Sequence, residues 1–67
     1  MEQGIVKWFN ISKGYGFIIP HSKTNDVFVH VSQLEKSGLS TLKEGQVVQY
    51  DLHEEKGKIA AFNLSID

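Results

Sequence analysis

Apolar and polar positions alternate along most of this chain, in short runs broken by glycine, proline and polar residues. Side chains of an extended strand point to opposite faces in turn, so a period of two marks a strand with one covered face. Residues 4–10 form a first run, with Ile5, Val6, Trp8 and Phe9. Residues 15–19 form a second, stopped by Pro20, and residues 27–31, Val-Phe-Val-His-Val, a third. A fourth run, 46–52, follows Gly45, and a fifth covers 58–66. These runs are rich in β-branched and aromatic residues, which suit a pleated, half-covered surface. Residues 21–26 carry polar turn chemistry, and 54–57, Glu-Glu-Lys-Gly, reads as a hairpin turn.

The stretch 32–44 joins the third and fourth runs. Ser32-Gln-Leu-Glu35 fits a capping box, which predicts one helical turn ended by Ser37-Gly38. No segment has the length and period of a longer amphipathic helix. Five short strands with one long connection after the third predict an all-β protein, a small five-stranded antiparallel barrel.

With 67 residues the chain has room for one domain, 1–67, and buries a modest share of its surface. There is no cysteine, so no disulfide contributes. His21, His30 and His53 lack the close-spaced partners that mark a zinc site, so neither a metal nor another cofactor is expected. No membrane-spanning run and no basic-then-apolar leader is present, and a cytoplasmic location is expected. Net charge is −1, which argues against a protein that holds a polyanion by bulk charge. The charge is uneven: residues 1–31 carry three lysines, Lys7, Lys13 and Lys23, against two acids, and residues 32–67 four lysines against six acids.

Lys13-Gly-Tyr-Gly-Phe-Ile18 is the most informative segment. Lys13, Tyr15 and Phe17 share one parity, as Phe28 and His30 do in the third run. The opposite parity carries Ile18, Val27, Val29 and Val31. Aromatic side chains are usually core. Burying this aromatic set, however, would also bury a lysine and an imidazole and expose a row of aliphatics, the costlier arrangement. Ile18, Val27 and Val29 are therefore expected inward, and Tyr15, Phe17 and Phe28 outward. Three exposed rings beside Lys13 and His30 suit unpaired bases, which stack on rings while lysines neutralise phosphates. Gly14 and Gly16 flank Tyr15; they either leave room for bases to lie flat or serve turn and bulge geometry. In the first run Val6 and Trp8 oppose Ile5, Lys7 and Phe9, and neither set is cleanly core; a bulge near Lys7-Trp8 would send Val6 and Phe9 inward and Lys7 and Trp8 outward.

Gly4-Ile-Val-Lys-Trp-Phe-Asn10, Lys13-Gly-Tyr-Gly-Phe-Ile18, Asp26-Val-Phe-Val-His30, Leu42-Lys-Glu-Gly-Gln46 and the closing Ala60-Ala61 with Asn63 together resemble the cold-shock domain, in order and over essentially the whole chain. The resemblance implies an OB-type barrel with two ribonucleoprotein motifs at 13–18 and 27–30. It implies a single-stranded RNA- and DNA-binding face of Lys7, Trp8, Lys13, Tyr15, Phe17, Phe28 and His30, with an outward Trp8. Leu39 in the long connection and Lys56 in the last turn are further candidates. It also implies the activity of stand-alone bacterial members: melting RNA secondary structure as chaperones, with effects on transcription and translation. This chain departs from the pattern at Val31 and Leu39, where many relatives carry aromatics, in having no arginine, and in a last segment, 58–63, that is one residue longer. Phe62 is left as either core or rim.

Three rival readings compete with this one. An RNA-recognition motif needs two helices, for which there is no room, and an aromatic where Pro20 stands. His30 and Ser32 could suggest a base and nucleophile, but no carboxylate is placed to orient the histidine, so no enzyme is expected. A protein-interaction barrel binding a peptide on the same aromatic face is the remaining alternative. Nothing demands a dimer, and a monomer is expected.

Overall fold

In the computed structural model, which describes residues 2–22 and 25–66, the expected runs are all strands. They are β1 (Glu2–Asn10), β2 (Tyr15–Pro20), β3 (Val27–His30), β4 (Val47–Glu55) and β5 (Lys58–Ile66), with one helix, α1 (Val31–Lys36), after β3. Lys23 and Thr24, in the polar turn before β3, lie outside the described residues. The sheet closes on itself in the order β1-β2-β3-β5-β4. Closure removes the exposed edges that a sheet this small would otherwise present. Four of the pairings are antiparallel, and the seam between β3 and β5, at Phe28↔Ala60, is parallel. A ring of five strands cannot alternate direction all the way round, so one parallel seam is a necessity of the odd number.

Strand limits differ from the expected ones where partners extend them. β1 begins at Glu2 because Glu2 and Gln3 pair with Tyr50 and Gln49. β4 continues to Glu55, because His53, Glu54 and Glu55 pair with Ala60, Ile59 and Lys58. The last turn is thereby reduced to Lys56 and Gly57, with φ of 53° and 78°. Positive φ at both central residues matches the twist of the flanking strands in a two-residue hairpin.

The capping-box expectation is corrected. Val31 leaves the strand and opens α1, and His30, not Ser32, caps it: the His30 ring accepts from the Ser32 backbone N–H. The helix ends in a Schellman arrangement. The N–H of Gly38, at φ 77°, donates to Glu35 O, and that of Leu39 donates to Leu34 O. Leu34 is fully buried and fastens the helix to the barrel.

The core comprises Val6, Ile18, Val27, Val29, Leu34, Leu42, Val48, Tyr50, Ala61 and Leu64. The inward assignment of Ile18, Val27 and Val29 holds. Two irregularities set the remaining faces. Between Val6 and Trp8 the β1–β2 register shifts, so Val6 faces Ile18 while Trp8 faces Phe17. Lys7 is the extra residue, and Val6 is buried while Lys7 is exposed. In β5, Ser65 faces Gln49 and Phe62 faces Asp51, one residue more than β4 supplies. Asn63 takes up the excess at φ 52°, its amide donating to Asp51 Oδ2 at 3.1 Å. This lets Ala61 and Leu64, three apart, both turn inward.

Candidate nucleic-acid interface

The outward rings form one connected surface. Cross-strand neighbours on one face lie within side-chain reach, and three pairings set the arrangement: Trp8↔Phe17, Tyr15↔His30 and Phe17↔Phe28. Trp8 meets Tyr15 and Phe17 edge to face, with centroids 5.6 and 5.4 Å apart. Tyr15 stacks on Phe28 at 5.8 Å, and Phe17 meets Phe28 edge-on at 5.8 Å. His30 lies 6.4 Å from Phe28. Trp8, Tyr15, Phe17 and Phe28 are half-buried: their edges support one another and part of each ring remains open to solvent. Edge-to-face packing holds rings in place without covering every face.

His30 is exposed but held. Its Nδ1 accepts from the Ser32 N–H at 3.1 Å and lies 2.9 Å from Ser32 Oγ. The pair that could have suggested base and nucleophile is thus a helix cap. With Nδ1 accepting, the remaining ring nitrogen, Nε2, carries the proton as a donor.

The glycines of segment 13–18 are explained by geometry. A Cβ on Gly16, which is buried, would come within 2.4 Å of Trp8 O and 2.7 Å of Phe9 Cα, so its bare backbone lets β1 approach. Gly14, at φ 82°, closes the β1–β2 turn by donating to Asn10 O and accepts from the Val31 N–H. The turn, and with it Tyr15, is tied directly to the start of α1.

A family model described as the 'Cold-shock' DNA-binding domain matches residues 2–66. The chain belongs to the cold-shock domain family. It is 50% identical over 66 residues to a probable cold shock protein of Sinorhizobium fredii and to cold shock protein CspA of Rhizobium meliloti, covering 96% of each chain in both cases. It is 46% identical over 68 residues to cold shock-like protein CspD of Escherichia coli, covering all of this chain and 92% of that one.

Of the residues singled out on this cold-shock barrel, Trp8, Tyr15, Phe17, Phe28 and His30 come together. Lys7 stands exposed at the β1 bulge, its Nζ 3.0 Å from Asp26 Oδ2. Lys13 is exposed in the turn before Tyr15, its backbone N–H donating to Asn10 Oδ1. Lys56 lines a depression of about 290 Å³ with Phe28, His53, Lys58 and Ala60. Leu39 is half-buried, closes the α1 terminus and packs against the core. Phe62 is a half-buried rim residue, edge-on to His53 at 6.1 Å.

Strand parity within β2 and β3 did not single out Asp26, which lines a hollow of about 480 Å³ with Phe17, Phe28, Lys58 and Ile59. Nor did it single out His53 and Phe62, which border a groove of about 480 Å³ together with Phe28 and His30. The alternation in 46–52 stops short of His53, and only its pairing with Ala60 relates it to the ring face. Among the described residues no group of three His, Asp or Glu side chains is placed to hold a metal, and no helix is long and apolar enough to cross a membrane.

Proposed function

We propose that this protein binds single-stranded RNA and DNA by stacking unpaired bases on Trp8, Tyr15, Phe17 and Phe28, with Lys7, Lys13 and Lys56 on phosphates and His30 donating a hydrogen bond. The observation that carries the reading is the row of partly open rings, Trp8, Phe17 and Phe28, on neighbouring strands of a chain with net charge −1. Attraction for a polyanion then rests on π-faces, and each stacked base is worth roughly 1–3 kcal/mol. A duplex hides those faces in its own stack, so the surface favours open strands. Binding that captures open strands shifts the equilibrium of a folded RNA toward its melted form by mass action. On this reading the protein is a monomeric cytoplasmic RNA chaperone of cold adaptation, acting on transcription or translation through the structures it melts.

Titrating Trp8 fluorescence with oligothymidine and with a duplex of equal length tests the binding reading. Quenching by the single strand at much lower concentration is expected; equal affinities would overturn it. Quenching by peptides and by neither nucleic acid would favour a protein-interaction barrel. The chaperone reading is tested separately, by the opening of a fluorophore-labelled RNA hairpin on addition of protein.

A further inference from the structure

The outer-face register runs further round the barrel than the ring cluster does. Trp8 pairs with Phe17, Phe17 with Phe28, Phe28 with Ala60, and Ala60 with His53. One row thus crosses all five strands, with rings at four positions and a single methyl at the fifth. Ala60 leaves a gap between Phe28 and His53. The two flanking residues are two strand spacings apart, about 9.5 Å. A flat ring with van der Waals contact on both sides needs about 7–8 Å. Open space lies on either side of this row. The 290 Å³ depression, which includes Lys58, and the 480 Å³ groove, which includes Lys36 and Phe62, are both lined by Phe28, Ala60 and His53. His53 is exposed, and Phe62 meets it edge-on. The gap therefore has a ring on each flank, a cleft on each side, and lysines in both clefts, Lys36 in one and Lys56 and Lys58 in the other.

We propose that the gap over Ala60 is a further base-binding slot, in which an unpaired base stacks against His53 while Lys36 and Lys58 take the phosphates on either side. This deepens the proposed function and rests on it: the bound strand crosses the β3–β5 seam and ends on β4. The slot extends the footprint beyond the Trp8–Phe28 surface by at least one nucleotide. The parallel seam is what makes it, because it brings the small side chain of β5 between two strands that carry rings.

The test compares a thymidine tetramer with a heptamer, by Trp8 quenching, in the wild type and in His53→Ala, His53→Phe and Ala60→Leu. Thermal melting checks that each variant is folded. The heptamer is expected to bind the wild type more tightly than the tetramer. His53→Ala should reduce that ratio roughly fivefold or more, the value of one lost stacking partner, and His53→Phe should restore it. Ala60→Leu should reduce it by filling the slot. A heptamer-to-tetramer ratio unchanged in folded His53→Ala overturns the slot and leaves the ring-face reading standing. Failure of both oligomers to bind the wild type overturns that reading itself. If Ala60→Leu does not fold, the two His53 variants decide, since that side chain is exposed.

Discussion

Lys7 Nζ stands 3.0 Å from Asp26 Oδ2, tying the extra residue of the β1 bulge to the residue that precedes β3. The side chains are 50% and 37% exposed, so the pair is well screened by solvent and contributes about 0–1 kcal/mol. Lys7 is therefore available to a phosphate at little cost to the fold. Three lysine–phosphate contacts on the ring face, rising to five with Lys36 and Lys58 of the slot, predict that the logarithm of affinity for a single strand falls with log salt at a slope of roughly −2.1 to −3.5. Lys7→Gln should make that slope shallower by about 0.7 and leave the melting temperature nearly unchanged. Titrations at several salt concentrations measure both. A wild-type slope much steeper than the range would mean that charge, not stacking, holds the ligand.

Phe17 and Val29 lie on facing strands and on opposite faces, and should respond oppositely to truncation. Phe17→Ala and Phe28→Ala are expected to weaken single-strand binding by about 1–3 kcal/mol each while the barrel stays folded. Val29→Ala, at a fully buried site, should instead lose roughly 1.5–3 kcal/mol of stability. Denaturant unfolding alongside oligonucleotide titration separates the two effects. Unfolded Phe17→Ala and Phe28→Ala proteins would reverse the assignment of faces.

Gly16→Ala should act on stability. Its new Cβ would press on the β1 backbone at Trp8 O and Phe9 Cα, and backbone atoms in a closed barrel have little room to yield. A loss of about 1–3 kcal/mol or more is expected. Urea unfolding measures it; a variant as stable as the wild type that binds poorly would instead support an open space for bases beside Tyr15.

Tyr50 is fully buried, and its hydroxyl has no hydrogen-bond partner among the described residues. Replacing an unsatisfied hydroxyl by an apolar group of the same shape removes a desolvation cost, so Tyr50→Phe should be more stable by about 1–3 kcal/mol. Burial, and secondarily the charge of Glu2, raises the Tyr50 pKa above its ordinary value of 10.0. The unfolded chain therefore gives up this proton at lower pH than the folded one. The stabilisation is complete below pH 10 and is lost as pH rises from there through the folded value. The stability advantage of Tyr50→Phe over wild type should accordingly widen above pH 10, as unfolding curves at increasing pH would record; an advantage that narrows there would contradict the assignment.

Within β2 and β3 alternation alone assigns the faces, because parity is local. Lys13, Tyr15 and Phe17 could not be buried without burying a charge, and Ile18, Val27 and Val29 were the only set that made a dry face. Parity failed where one residue interrupts it. The bulge at Lys7 leaves composition and length unchanged, so residues 4–10 alone offered no means of choosing between two faces, and the outward Trp8 rested on the family resemblance. Asn63 does the same in β5: residues 58–63 carry one residue in excess, and no alternation within them assigns Phe62 to a face. Local pattern also favoured Ser32 as the helix cap; the chain instead turns at Val31, where the Gly14 carbonyl accepts its N–H and the ring of His30 is free to bend forward.

The sequence by itself determined five strands, their inward and outward faces in β2 and β3, and with them the outward rings Tyr15, Phe17 and Phe28, because each depends on neighbours one or two residues away. Only the tertiary structure decided which strands lie side by side. Five strands closing into a ring must include one parallel seam, and that seam sets Ala60 of β5 between Phe28 and His53, residues 25 positions apart in the chain. No periodicity within a strand carries that information, since the pairing is chosen by the closure of the whole barrel around a core that every strand shares.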